Sequence, residues 1–394
     1  MKYYINFLRD KPIIRSLSLV NFIASFGAWF STVAIYTMVV EFGSSEFAIA
    51  IVTAMHFIPA ILIAPFSGSL IDRLRIKPLM VTLLFIELSM TACFLLIETA
   101  SDLWLLLIFI FIRMSAASMF FSSEMSLLAK IATGKDLQTA NEIQSIIWSF
   151  TYAVGMAVSG FIVNLYGVKA AILIDVAIFV LAFFVFLNIK INIEYKKVEE
   201  KILELMIDGL RYIKNNKIIL HLIFLHASVG LTSYDALITI LAKNEYKEII
   251  AVPLAIGLSN AVRAVALMIG PLFLNKIIKK DNLQYLLVFQ GITIIIWAFA
   301  QGDFYASLGA LFFVGFSTAF LWSYTYALLQ NHCDKRYIGR VISYNDMFFM
   351  LANVLTTLFI GTMAHITTTS IITICLGVAF LFYAYYYTKI YSKI

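Results

Sequence analysis

The 394-residue chain is 62% hydrophobic and only 13% charged, with a mean hydropathy of +0.92. Soluble domains carry about 25% charged residues, so these proportions exclude a large soluble domain and place the chain among membrane proteins. The net charge of +6 is not read as an affinity for nucleic acid, because Lys and Arg gather in the cytoplasmic loops of membrane proteins.

A bilayer crossing needs about 20 apolar residues. Runs of that kind predict twelve spans, over 17–40, 47–71, 79–98, 102–128, 142–166, 169–189, 218–241, 252–274, 283–300, 303–329, 341–364 and 368–388. Ahead of the first, Lys2, Arg9, Lys11 and Arg15 are followed by no small-residue cleavage site, so no removable signal is expected. Spans 2 and 3 are joined by a short hinge, Gly68 to Met80, which carries Asp72, Arg73, Arg75 and Lys77. Cys93, Cys333 and Cys375 have neither metal nor disulfide spacing.

The basic residues fix a topology. Of the 29 Lys and Arg, 24 fall on one side of these spans; Lys169, Lys243 and Lys247 fall on the other, and Arg113 and Arg263 lie inside spans. That asymmetry puts both termini in the cytoplasm. The one long polar connection, 191–217, divides the spans six and six. Within it Ile202, Leu205, Met206, Leu210 and Ile213 fit an amphipathic helix at the membrane surface. The chain is therefore expected to hold an N-terminal bundle (1–190), this linker, and a C-terminal bundle (218–394). A faint repeat supports the division: Gly68, Asp72, Arg73 and Lys77 have a counterpart in Gly270, Asn275, Lys276, Lys279 and Lys280.

Ionisable residues within a membrane are costly and so mark function by default. Glu87 (span 3), Arg113 (span 4), Asp175 (span 6), Asp235 (span 7), Arg263 (span 8) and Asp346 (span 11) qualify. Arg113 lies eleven residues in from Asp102, and Arg263 eleven in from Val252, each roughly 16 Å deep at about 1.5 Å per residue. Asp175 is six residues past Lys169 and Asp235 six before Leu241, each roughly 9 Å from the outer face. An arginine side chain bridges that gap, which predicts the pairs Arg113–Asp175 and Arg263–Asp235. Asp235 is the first choice for a protonation site, followed by Glu87 and Asp175. His221 and His226 are five apart and share no helix face, so they are read as packing histidines rather than metal ligands. His56, beside Phe57 and Pro59 in span 2, is a weaker cavity candidate.

The pattern Gly68-x-x-x-Asp72-Arg73, followed by Lys77, resembles the helix 2–3 loop of the major facilitator superfamily, with Arg75 where a second glycine is common. Four further stretches resemble its drug-efflux branch that includes macrolide and enterobactin exporters. They are the opening of span 1 (Arg15 to Phe30), Asp136 to Ser145, the linker Leu203 to Asn216, and Leu328 to Ser343 with Gln330, Gly339, Arg340 and Val341. Two departures stand out. Ala28 replaces a frequent acid, and span 5 reads Gly155-Met156-Ala157-Val158-Ser159-Gly160 where proton-coupled exporters carry Gly-Pro-x-x-Gly-Gly. The missing proline bears on proton antiport.

The resemblance implies an all-α membrane protein of twelve helices in two bundles, working by alternating access in a bacterial inner membrane. It implies a mid-membrane role for Arg113 in proton movement. It implies a cytoplasmic gate in which Gly68, Asp72, Arg73 and Lys77 latch the halves together with Glu124, Arg340 and Asp346. Because spans 1, 5 and 10 line the cavity in this fold, Trp29, Tyr36, Tyr152, Trp322, Tyr324 and Tyr326 are its candidate aromatic lining. The expected function is proton-driven export of amphiphilic small molecules by a monomer. The expected partners are membrane lipids, the substrate and H+, with no cofactor, no metal, no nucleic acid and no enzymatic activity. A carrier of a lysophospholipid-like or siderophore-like molecule is the alternative, since two buried arginines suit an anionic headgroup, and a lipid mover without ion coupling is a third reading. No nucleotide-binding loop points to an ATP-driven pump.

Overall fold

The computed structural model describes residues 2–191, 202–275, 277–334 and 336–391. Among them the chain is helical, and eleven helices are long and apolar enough to cross a membrane. One of the eleven, Gly134–Leu187, has 54 residues and would run about 80 Å if straight, far beyond a hydrocarbon core of about 30 Å. It is broken at Gly167, whose φ of +81° lies in the left-handed region open to glycine. The break makes it spans 5 and 6, so the chain crosses twelve times and both termini share a face.

The other spans are Pro12–Glu41 (1), Glu46–Ala54 with Ile58–Arg73 (2), Ile76–Cys93 (3), Leu103–Ile131 (4), Lys217–Ala227 with Asp235–Leu241 (7), Val252–Leu274 (8), Leu283–Ala300 (9), Phe304–His332 (10), Ile338–Met363 (11) and Thr369–Ile390 (12). Span 5 begins at Gly134, so Asp136 to Ser145 is helix rather than loop. Spans 2 and 7, expected to be continuous, are each interrupted. In span 2 the break precedes Pro59, which has no N–H for the helical ladder. In span 7 a five-residue 3-10 turn, Ser228–Thr232, separates the two segments. Gly230 permits this: a Cβ there would lie 2.5 Å from the Ala352 side chain and 2.9 Å from the Phe349 carbonyl of span 11.

Within the first six spans, span 1 packs along spans 5 and 6, span 4 lies between spans 2 and 3, and span 3 also meets span 6. Within the last six, span 10 packs on spans 8, 9 and 7, and span 12 lies against span 9. Two seams join the sets: span 5 against span 8, and span 2 against span 11.

The named contacts across these seams concentrate toward the face opposite the termini. Gly160 and Gly257 bring spans 5 and 8 together backbone to backbone; a Cβ on Gly160 would lie 2.7 Å from the Pro253 carbonyl, and one on Gly257 2.7 Å from the Met156 carbonyl. Small residues allow such approach, which drives helix association in lipid. Gly361 of span 11 lies against Ala50 of span 2. Lys243, beyond span 7, donates to the Ser44 carbonyl (2.8 Å) and to Glu46 (3.0 Å), and His365 lies 3.6 Å from the same Glu46. The protein is thus held shut on that face.

The amphipathic linker helix is Ile202–Asn215. It docks on the last six spans: Asp208 accepts from Arg340 at 2.6 Å, the Tyr212 ring stacks on Tyr337 at 4.3 Å, and the Tyr344 hydroxyl donates to the Met206 carbonyl at 3.0 Å.

The glycine crossing yields a stability prediction. Gly257→Ala should lower the thermal unfolding midpoint of the detergent-solubilised protein, by an equivalent of about 1–3 kcal/mol for overpacking. Gly309→Ala, with nothing within 4 Å of the new Cβ, should leave it unchanged. Equal melting of the two variants would count against a tight seam.

Candidate functional site

Two ion pairs lie inside the membrane-spanning region. In the first, Arg113 Nη2 of span 4 is 3.3 Å from Asp175 Oδ2 of span 6. Arg113 Nη1 also donates to Ser31 Oγ of span 1 at 2.7 Å, and its guanidinium lies over Phe94 at 5.5 Å and Phe179 at 5.0 Å. The approach of span 1 depends on Gly27, where a Cβ would lie 2.5 Å from Asp175 Oδ1. Arg113 is 4% exposed and Asp175 0%. Glu87 of span 3, also buried, is within Coulombic reach of both. Every one of these partners belongs to the first six spans.

The second pair sits on the seam between the two sets. Arg263 Nη1 of span 8 is 3.7 Å from Asp235 Oδ1, at the start of the second segment of span 7. Arg263 Nη2 donates to the Thr232 carbonyl at 2.9 Å, an oxygen available because the helix is interrupted there. Its guanidinium lies 5.4 Å from the centre of the Tyr234 ring. Arg263 Nη1 also donates to the Tyr152 hydroxyl of span 5 at 3.3 Å, and that hydroxyl donates to Asn260 Oδ1 at 3.2 Å. Arg263 therefore ties span 7, span 8 and, through Tyr152, the first six spans into one network.

The depth argument thus named the partners the structure brings together, but not the facing. Arg113 is enclosed by the first six spans alone, whereas the Arg263–Asp235 pair meets the opposite half through Tyr152. Asn260, Thr232 and Tyr234 escaped notice. Asn260 carried a usable signal, being a polar residue three positions before Arg263 and so on the same helix face.

The expected aromatic lining divides. Trp29 lies 4.5 Å from Tyr152, and both touch Trp148. Tyr36 is buried against His56 at 5.7 Å. Trp322 and Tyr326, one turn apart, stack at 5.0 Å, while Tyr324 stacks on buried Phe320 along a different face of span 10. Tyr324 therefore does not share a surface with the other two.

Of the expected gate residues, Lys77, Glu124, Arg340 and Asp346 have described side chains. The side chains of Gly68, Asp72 and Arg73 lie outside the described residues. Lys77 donates to the Leu187 carbonyl at 3.2 Å. Glu124 accepts from Gln144 at 2.8 Å, and Gln144 in turn accepts from Asn21. Arg340 is paired with Asp208 of the linker, and Asp346 accepts from Asn345 at 3.4 Å.

Arg113 and Arg263 thus each have an acid partner within the spans, at 3.3 and 3.7 Å.

Residues 17–357 match the profile of the Major Facilitator Superfamily. Solved structures share the fold. The nucleoside transporter NupG is 13% identical with a TM-score of 0.76, over 96% of this chain and 99% of that one. A bacterial homologue of the human lysosomal transporter Spinster, in an inward-facing and unoccupied conformation, is 13% identical with a TM-score of 0.71, over 96% and 95%. A D-xylose–proton symporter is 14% identical with a TM-score of 0.72, over 94% and 97%. No curated protein gives a significant match by sequence.

The enclosure of the first pair predicts a structural role. Asp175→Asn leaves a buried guanidinium that cannot release its proton and should cost about 3–5 kcal/mol of stability. Arg113→Met combined with Asp175→Asn should regain most of that in a thermal melt. A double variant no more stable than the single one would contradict the pairing.

Proposed function

The chain belongs to the major facilitator superfamily and is a membrane transporter; on that premise we propose that it exports amphiphilic small molecules by proton antiport, with Asp235 as the protonation site. The observation that carries this reading is the Arg263 network. An acid that exchanges protons during transport has to sit where its charge alters the contact between the moving halves. Asp235 does so, because its partner Arg263 also holds Tyr152 across the seam. Protonating Asp235 removes the attraction over 3.7 Å, leaving Arg263 to Tyr152 and the Thr232 carbonyl. The seam is thereby loosened or tightened by one proton. Buried charge pairs of this kind shift by several kcal/mol when one partner is neutralised, enough to reverse a two-state equilibrium.

On this reading 1–190 and 218–394 rock as two six-helix bundles around a central site, in a bacterial cytoplasmic membrane with both termini inside. The chain works as a monomer, and its branch is that of the macrolide and enterobactin exporters. A wholly apolar groove of about 370 Å³, lined by Ala153, Val154, Ala157, Ala261, Val262, Val265 and Phe312 between spans 5, 8 and 10, supports entry of an amphiphile from within the bilayer. The same groove is what favours the alternative of a native lipid-like substrate; a siderophore-like one draws no such support.

The test uses inverted vesicles and a cationic fluorescent dye. An imposed pH gradient, acidic inside, should drive dye accumulation several-fold above the level without a gradient. Asp235→Asn should abolish that drive yet retain dye exchange at equal concentrations, since exchange needs no proton release. Accumulation indifferent to the gradient would overturn antiport, and a lysophospholipid co-purifying in stoichiometric amount would favour the alternative.

A further inference from the structure

One buried polar group plays no part in the network above. His226 of span 7 is fully buried, and its Nδ1 lies 2.8 Å from Thr325 Oγ1 of span 10. The Thr325 hydroxyl donates its own proton to the Leu321 carbonyl at 2.6 Å. It therefore accepts from His226, and Nδ1 carries the ring proton. In the neutral ring this leaves Nε2 as an acceptor, and Nε2 has no partner among the described residues.

The ring lies inside an aromatic enclosure. Trp322 is 5.8 Å away, Tyr326 5.5 Å and Phe349 5.5 Å, centre to centre. Asp346 stands one turn before Phe349 on span 11, within electrostatic reach of Tyr326, and has no basic partner among the described ion pairs. Trp322 is 39% exposed, and Tyr326, Phe349 and Asp346 are half-buried, so the outer side of the enclosure is accessible, whereas Nε2 itself is covered and is reached only by a shift of these rings. Three ring faces attract a cation, a carboxylate neutralises it, and an unfilled lone pair calls for a hydrogen-bond donor. The ligand group that answers all three at once is a protonated amine.

We propose that His226, Trp322, Tyr326, Phe349 and Asp346 form the subsite that receives the protonated amine of an amphiphilic substrate. This rests on the transport function proposed above and assigns the chemical class of its cargo. The amine donates N–H to His226 Nε2, its charge meets Asp346, and its apolar body lies along Trp322. The Asp235–Arg263 pair is left to the proton, so cargo and proton occupy different carboxylates.

The test is binding to the purified full-length protein in lipid nanodiscs at pH 7.5, followed by calorimetry. The probes are N,N-dimethyl-4-phenylbutylamine, its quaternary trimethylammonium analogue, and the neutral hydrocarbon-tailed isostere 5-methyl-1-phenylhexane. The tertiary amine should bind at least tenfold more tightly than the neutral isostere. His226→Phe keeps the ring but removes the lone pair, and should weaken the tertiary amine several-fold while leaving the quaternary cation, which has no N–H, nearly unchanged. Asp346→Asn should weaken both cations about tenfold. If a variant fails to fold, judged by size-exclusion profile, the comparison of the three probes on the native protein still decides. Equal affinity for all three, or loss of both cations alike in His226→Phe, overturns the subsite. Cage-dependent amine binding without gradient-driven transport would uphold this subsite and remove proton antiport; gradient-driven transport with cage-independent binding would do the reverse.

Discussion

Each charge or free backbone carbonyl that this chain carries into the bilayer has to be answered by its own helices, because lipid offers no hydrogen bonds. Arg263 meets that constraint in a way that shapes the surrounding fold. The interruption of span 7 releases the Thr232 carbonyl, and Arg263 takes it up at 2.9 Å while facing Asp235. Neither the broken helix nor the buried guanidinium would be tolerable alone. Together they satisfy one another, and the arrangement is completed only by Tyr152 from the other half.

The two arginines show how like residues at like depth differ in consequence. Arg113 is closed in by Ser31, Asp175, Phe94 and Phe179, all from the first six spans. Its contribution is to hold spans 1, 4 and 6 together. Arg263 reaches across the seam to Tyr152. The distinction lies in which helix supplies the partners rather than in the pair itself.

Much of the fold was legible in the sequence, because hydropathy is summed over some twenty residues and tolerates local exceptions. Depth was legible too, since rise per residue is fixed, and it matched Arg113 with Asp175 and Arg263 with Asp235. Facing was not legible. A helix in lipid shows no strong polar side, and span 4 gives no sign that Arg113 points inward to its own bundle. His226 read as a packing residue and is buried, but its neighbours Trp322, Tyr326 and Phe349 lie a hundred or so positions away and were not legible. The docking of Asp208 against Arg340 was hidden for the same reason. The interruption at Ser228–Thr232 had only Gly230 and a run of small polar residues to announce it.

The backbone contact of Gly160 with Gly257 is the tightest meeting of spans 5 and 8, and it lies far from the start of span 5 at Gly134. The 26 residues between Gly134 and Gly160 form a lever arm of about 39 Å at the helical rise. Turning about that crossing displaces the far end by about 0.7 Å per degree. A modest tilt, with almost no sliding at the fulcrum, is therefore sufficient to widen or narrow the opposite mouth by the width of a small molecule.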